Sequence, residues 1–446
     1  MSQNRERNYC GIWMRIVFCL FALSGCSSVL VAQQTPDTPP PSTDSQDTTP
    51  VVLVMPSASQ NIALLGTDQR FMDLGTLQTR RRAFFLYGTG ISESYIDNFE
   101  AVPGGQASSE FLLSPHIAFI DASNHSSFSI QYAPAVVQTT SGPSNSQVFQ
   151  SGSISFGQPL TRNWMLQLNS SDNYGSDTSR LLSPPGFTVN GGVPVSDPSG
   201  AVFQFNRGNV FSTEDTAGLT WQRTVSQSMN FSAQESYVSL LDGGPSSSST
   251  FAQASYTAAV TSRTSVNVGG NYNHQQFSVG SCDGYGFSFG ISHEFGRNVS
   301  LGISAGPEFE SAPCNKGLSG NYNLSIAYPL SRRSRVGLMA GRSYTSDYLT
   351  NTQYSDTGAV SYSRQLGEAF QISLNSGYTR SVFEQSTLGA YVGYFAGADF
   401  SWKLSRTISL GTTYRHFEQV SGGPIQGQNM GIVTLGWNPL PVRIVK

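Results

Sequence analysis

From about residue 83 onward, apolar and small polar residues alternate with a period of two. Val299, Leu301, Ile303 and Ala305 interleave with Ser300, Gly302, Ser304 and Gly306, and Tyr285, Phe287, Phe289 and Ile291 interleave with Gly286, Ser288, Gly290 and Ser292. The design returns at Val392, Tyr394, Ala396, Ala398, Phe400 and Trp402, and again at Ile408, Leu410 and Tyr414. Such a pattern makes strands with two chemically different faces. A soluble sandwich alternates too, so length decides. Each run is about 10 to 14 residues, which suits the ~9 to 11 of a tilted bilayer span and exceeds the ~5 to 6 of soluble strands.

Turn rhythm points the same way. Short polar turns centred near residues 123, 162, 224, 262, 296, 332, 366 and 404 recur 34 to 39 apart, with one gap of 62, as one hairpin per repeat. Longer polar stretches stand between them, near 95–108, 138–146, 173–209, 241–249, 276–283, 311–317, 347–355, 382–388 and 420–426. Short connections on one side and longer ones on the other are the habit of outer-membrane barrels, whose short turns face the periplasm. Eight short turns join nine hairpins, which predicts an all-β fold: a transmembrane antiparallel β-barrel of about 18 strands, with 16 as the alternative. A sheet in hydrocarbon has to close, because an edge leaves backbone groups without partners. A barrel of that size encloses an aqueous channel, lined here by the small face of Gly, Ser, Asn and Thr.

Composition narrows the function classes. Charged residues are 12% of the 446, about half of the ~25% usual in soluble domains. The net charge of −3 offers no basic field for nucleic acid. Lysine occurs only at 316, 403 and 446, which fits a chain in which a Lys or Arg facing lipid at the midplane costs ~2 to 4 kcal/mol. Arg162, Arg297, Arg332 and Arg406 stand at turns, where the plain reading that turns are polar accounts for them equally well. Trp164, Trp221, Trp402 and Trp437 lie near short-turn ends, as girdle residues or as packed aromatics.

The first residues read as targeting. Arg5, Arg7 and Arg15 precede the apolar run IVFCLFAL and a cluster of small residues, which is the layout of an export signal over 1–32. Leu23-Ser24-Gly25-Cys26 resembles a lipobox, in which Cys26 becomes the lipidated first residue; a cut after Ala32 is the competing reading. Residues 33–50, QQTPDTPPPSTDSQDTTP, have almost nothing to bury and form a disordered linker. Residues 51–82 form a lead-in, periplasmic or plug-like, before the barrel of 83–438 and a tail of 439–446.

Candidate sites are few. Cys282 and Cys314 are the thiols left once the signal is gone, and an oxidising compartment favours a disulfide over two unpaired cysteines. No His or Cys stands beside them at ligand spacing, so no metal or other cofactor is expected. The stretch 173–209 is the longest irregular one. Either it is an exposed loop, or it folds inward with Asp172, Asp177, Arg180 and Asp197 lining a constriction. Asp399 and Arg415 are charges inside alternating runs, placed towards the lumen because the lipid side is costly. The five histidines show no ligand spacing and no adjacent nucleophile with an acidic partner, so no enzyme is expected.

The strand-turn-strand texture of ISHEFGRNVSLGISAG, IAYPLSRRSRVGLMAGRSY, VSYSRQLGEAFQISLNSGYTR and FSWKLSRTISLGTTYRHF resembles the β-barrel porins of Gram-negative outer membranes. It is similar, more weakly, to barrels associated with exopolysaccharide export. The resemblance spans roughly residues 83–438 and departs at the end, where Trp437 is followed by NPLPVRIVK rather than closing the chain on an aromatic. It implies an outer-membrane conduit for small hydrophilic solutes or an exported polysaccharide, with membrane lipid, lipopolysaccharide and the barrel-insertion machinery as partners. The alternative is a structural or adhesive surface protein whose loops are the working part.

Overall fold

The structure is a computed structural model that describes residues 82–97, 105–122, 126–142, 147–176, 187–190, 193–196, 209–240, 246–277, 280–296, 299–311, 317–347, 351–383, 390–421 and 426–444. The expected signal, Cys26, the linker and the lead-in lie outside them, except Arg82, the last residue expected in the lead-in, which instead opens the first strand of the barrel. The described residues fold into strands β1 (Arg82–Ile96), β2 (Ser108–Ala122), β3 (Ser127–Ser141), β4 (Gln147–Pro159), β5 (Trp164–Ser176), β6 (Phe187–Asn190) and β7 (Val193–Ser196). They continue as β8 (Asn209–Thr224), β9 (Gln227–Leu240), β10 (Ser246–Thr261), β11 (Thr264–Phe277), β12 (Gly280–Phe295), β13 (Val299–Glu310) and β14 (Gly317–Ser331). The last are β15 (Ser334–Asp347), β16 (Asn351–Leu366), β17 (Phe370–Phe383), β18 (Ala390–Lys403), β19 (Ile408–Ser421), β20 (Gln426–Trp437) and β21 (Val442–Ile444).

Every wall strand pairs antiparallel with its neighbours, and β1 pairs β2 on one side and β20 on the other, so the sheet closes without an edge. Of its 19 strands β21 is only a three-residue patch, which leaves an 18-stranded barrel. Closure satisfies each ladder within the sheet, the condition for crossing hydrocarbon.

The register turns alternation into two surfaces. Ile291, Ile303 and Leu324 stand side by side on β12, β13 and β14, and the first two are 43% and 46% exposed. One residue along, Gly290, Ser304 and Asn323 form the neighbouring row on the opposite face. The apolar row faces out and the small polar row faces in. The outer band has two aromatic margins. At the short-turn margin Trp164 stacks on Trp221 at 5.9 Å and Tyr87 meets Trp437 edge-on at 5.8 Å. At the other margin Tyr378 meets Tyr394 at 5.5 Å and Tyr272 meets Tyr285 at 5.2 Å. These tyrosines stand eight to ten residues along their strands from the short turns, roughly 20 to 25 Å at the usual rise and tilt, which matches the ~25 Å apolar band of such barrels. The protein is an outer-membrane β-barrel.

Short turns join β8 to β9, β10 to β11 and β14 to β15 through two residues each. Where other turns need a left-handed backbone, glycine supplies it: Gly296 has φ 54° and Gly367 has φ 73°. On the other side the strands run further than the sequence suggests. Wall strands of 12 to 16 residues exceed the ~9 to 11 that a span needs, and the surplus projects outward. The expected loop over 276–283 is therefore a two-residue connection between β11 and β12, and Cys282 lies in a strand rather than a loop.

The closing seam explains the unusual end. Thr89–Ile96 of β1 pair with β20, whereas Ala83–Phe85 pair with β21. Between the two patches Pro439 and Pro441 cannot donate to the ladder, and Asn438 bulges against Gly88, where a Cβ would lie 2.6 Å from the Trp437 carbonyl oxygen. The tail thus completes the wall beneath Trp437.

Candidate functional site

The long connection from β5 to β8 carries its own hairpin. Phe187–Asn190 and Val193–Ser196 pair antiparallel around Gly191-Gly192, with Asn190 opposite Val193. Gly-Gly between two short runs of this kind is a common hairpin signal in sequence. β7 lies within 8 Å, Cα to Cα, of both β15 and β16. From β8 to β15 is seven strands one way round, and from β5 to β16 is nine the other. The hairpin therefore reaches from its root to the opposite wall.

That wall suits close approach. Gly337, Met339 and Gly341 on β15 and Thr357, Ala359 and Ser361 on β16 face inward, and all are buried. Elsewhere the lumen wall departs from the uniformly small, polar lining expected from the sequence. Ile96, Met430 and Ile432 form one inward apolar patch; Ala135, Val137 and Phe149, with Leu112 against them, form another.

The charges of the wall are arranged by parity. Asp399 and Arg415 both face the lumen, and Asp399 Oδ1 accepts hydrogen bonds from Arg415 Nη2 at 2.8 Å and Thr413 Oγ1 at 3.0 Å. A Cβ on Gly397 would meet the Arg415 guanidinium, so glycine there leaves the pair its room. Towards the outer end Glu110, Glu214, Glu308 and Glu310 also face inward. Glu308 Oε2 accepts a bond from Asn321 Nδ2 at 3.3 Å. Among the described residues Arg415 is the single lumen-facing Lys or Arg beyond the short-turn end, and Asp399 already pairs with it.

Asp172 requires a correction. It stands on β5 with the same parity as Leu166, Leu168 and Tyr174, opposite Gly152 and Thr213, and points outward rather than into the lumen. The inward neighbour is Ser171, 6% exposed. Asp177, Arg180 and Asp197 lie outside the described residues.

His274, which the sequence leaves without a partner, bonds through Nδ1 to Asp283 Oδ1 at 2.9 Å, and Tyr272 donates to the same oxygen at 2.7 Å. The partners are brought together by hairpin register, and the cluster sits outside, at the outer margin. No group of three or more His, Cys, Asp or Glu among the described residues is arranged to hold a metal ion.

Cys282 faces inward, is 5% exposed and is disulfide-bonded. Cys314 lies outside the described residues. The chain leaving β13 is held beside Cys282, because Ser311 N–H donates to the Asp283 carbonyl at 2.8 Å and Ser311 Oγ accepts from Asp283 N–H at 2.9 Å. Cys314 follows three residues later in the sequence, and its pairing with Cys282 is a prediction to be tested. Non-reducing peptide mapping is expected to recover the Cys282–Cys314 pair. Reduction should lower unfolding stability by about 3.7 kcal/mol for a loop of this size. A pair linking Cys282 to any other cysteine would refute the assignment.

No family model and no curated protein matches the chain. Similar solved structures include the siderophore receptor PirA from Pseudomonas aeruginosa, with TM-score 0.46 and 8% identity over 81% of this chain and 81% of that one. A ferric enterobactin receptor (PfeA) mutant from the same organism has TM-score 0.44 and 6% identity over 80% of each chain. The FrpB iron transporter from Neisseria meningitidis has TM-score 0.44 and 9% identity over 75% of this chain and 62% of that one. At these values the likeness says nothing about solute or mechanism.

Proposed function

We propose that this barrel is a porin-like conduit for hydrophilic solutes, small molecules or an exported polysaccharide strand, and that it does no chemistry on what it passes. The observation that carries the reading is the hairpin β6–β7 crossing to β15 and β16. A wall of this circumference without an inner segment sets no useful size limit; a hairpin across it does. The carboxylates towards the outer end support a preference for cations over anions. One unit charge ~8 Å from the ion path in water is worth about 0.5 kcal/mol, or about twofold in occupancy.

The test is conductance of the purified protein in a planar bilayer. Discrete steps are expected, with a reversal potential of cation-preferring sign in a KCl gradient. Glu308→Gln combined with Glu110→Gln should move the permeability ratio towards unity by about twofold per charge. Sugar-dependent block would support a carbohydrate solute. A barrel that stays sealed would defeat the conduit and leave the surface-protein reading.

A further inference from the structure

We propose that Arg342 and Arg380 form a phosphate-binding site on the outside of the barrel, occupied by the phosphorylated headgroup of the outer-leaflet glycolipid, lipopolysaccharide. Tyr322, Arg342, Asp356 and Arg380 stand in one row across β14, β15, β16 and β17. Their parity is that of Leu338, Val360 and Leu374, each 44% exposed on the apolar band, so the row faces the membrane. Arg342 and Arg380 lie eight and ten residues from the short turns, roughly 20 to 25 Å up, at the outer edge of the hydrocarbon. At that depth the cost of an outward arginine falls to about 0 to 1 kcal/mol, so the site is affordable where headgroups begin.

The row is built rather than scattered. Arg342 is fixed by a bidentate pair to Asp356, Nε to Oδ1 at 2.6 Å and Nη2 to Oδ2 at 2.8 Å. Its guanidinium carbon lies 4.6 Å from the Tyr354 ring centroid and 5.9 Å from that of Tyr322, and Tyr322 Oη donates to Asp356 Oδ1 at 3.4 Å. Asp356 is thereby consumed. Arg380, exposed on the other side of Asp356, has no partner among the described residues. In this row of the described residues two guanidinium groups stand against one carboxylate, and Arg380 is the one not bonded to it.

The surroundings sharpen the contrast. At comparable height the outward face otherwise carries carboxylates: Glu93 on β1, Asp172 on β5, Asp215 on β8 and Glu235 on β9. Among the described residues, Arg342 and Arg380 are the outward Lys or Arg found away from the short-turn end. A phosphate monoester meets repulsion over much of the rim and a planar donor fork here, the geometry that arginine offers to phosphate.

The experiment reconstitutes the full chain in nanodiscs with lipopolysaccharide, extracts it into detergent and counts retained glycolipid by native mass spectrometry. Wild type is expected to keep a phosphorylated glycolipid, and Arg380→Gln to lower retention about tenfold, the worth of a charge-assisted contact. Arg380→Lys should restore part of it, and dephosphorylated lipopolysaccharide should be lost. Heat-modifiable gel mobility confirms that each variant is folded. Retention unchanged in Arg380→Gln would overturn the proposal. So would displacement by inorganic phosphate alone, which would mark a free-phosphate site. A change of oligomeric state with retention intact would mean that the arginines instead meet the acidic rim of a second copy, and would overturn it too.

Discussion

Replacing Phe187–Ser196 by a short Gly-Ser linker is expected to raise single-channel conductance about 1.5-fold. Eighteen strands ~4.8 Å apart at a tilt of about 40° make a backbone cylinder of roughly 18 Å radius, and side chains reduce the bore to about 13 Å. A hairpin ~10 Å wide with four-residue strands, about 17 Å long with its turn, covers about a third of such a bore. The wall does not depend on the hairpin, because its strand pairs form a ladder closed by β1 and β20, while β6 and β7 pair only with each other. The variant should therefore keep the heat-modifiable mobility of a closed barrel while losing its size cut-off for neutral sugars. Unchanged conductance in a folded variant would remove the hairpin from the permeation path.

The fold was legible because its signal is local. Period-two alternation and polar turns each need only a dozen neighbouring residues to be seen, and the short turns fall where the rhythm of Arg, Ser and Asn puts them. The site was only partly legible. FTVN-GG-VPVS is a hairpin signal hidden inside a polar stretch, but its contact with β15 and β16 joins residues about 150 apart in sequence and leaves no local trace. Asp172 is a different kind of miss. Counting by two from Leu166 and Leu168 already places it outward, and only the assumption that a charge near a long loop belongs to the lumen put it inside. The same count places Arg342 with Leu338 and Arg380 with Leu374. A charge stands on the outer face at little cost wherever it has cleared the hydrocarbon, so parity and height have to be read together. The inward patches around Ile96 and Phe149 escaped because alternation marks which residues face out and leaves the inner face free to vary.

That reading is tested most severely by two adjacent substitutions. Ile303→Arg is expected to destabilise the barrel by about 2 to 4 kcal/mol in a bilayer, whereas Ser304→Arg should cost well under half of that. The two positions share β13, lie four and five residues from the short turn and differ only in face. Ile303 stands between Ile291 and Leu324, so an arginine there loses its hydration to acyl chains with no carboxylate in its row. Ser304 stands between Gly290 and Asn323, where a guanidinium reaches lumen water and an amide. Equilibrium unfolding in lipid vesicles measures both. A loss of 2 to 4 kcal/mol is about 30- to 900-fold in the folded-to-unfolded ratio, too large to be mistaken for a surface effect. The asymmetry should fade in a water-soluble detergent with a thin, yielding belt, because the penalty belongs to the hydrocarbon. Equal costs at the two positions would mean that the apolar rows do not face lipid, and the barrel would lose its place in the membrane.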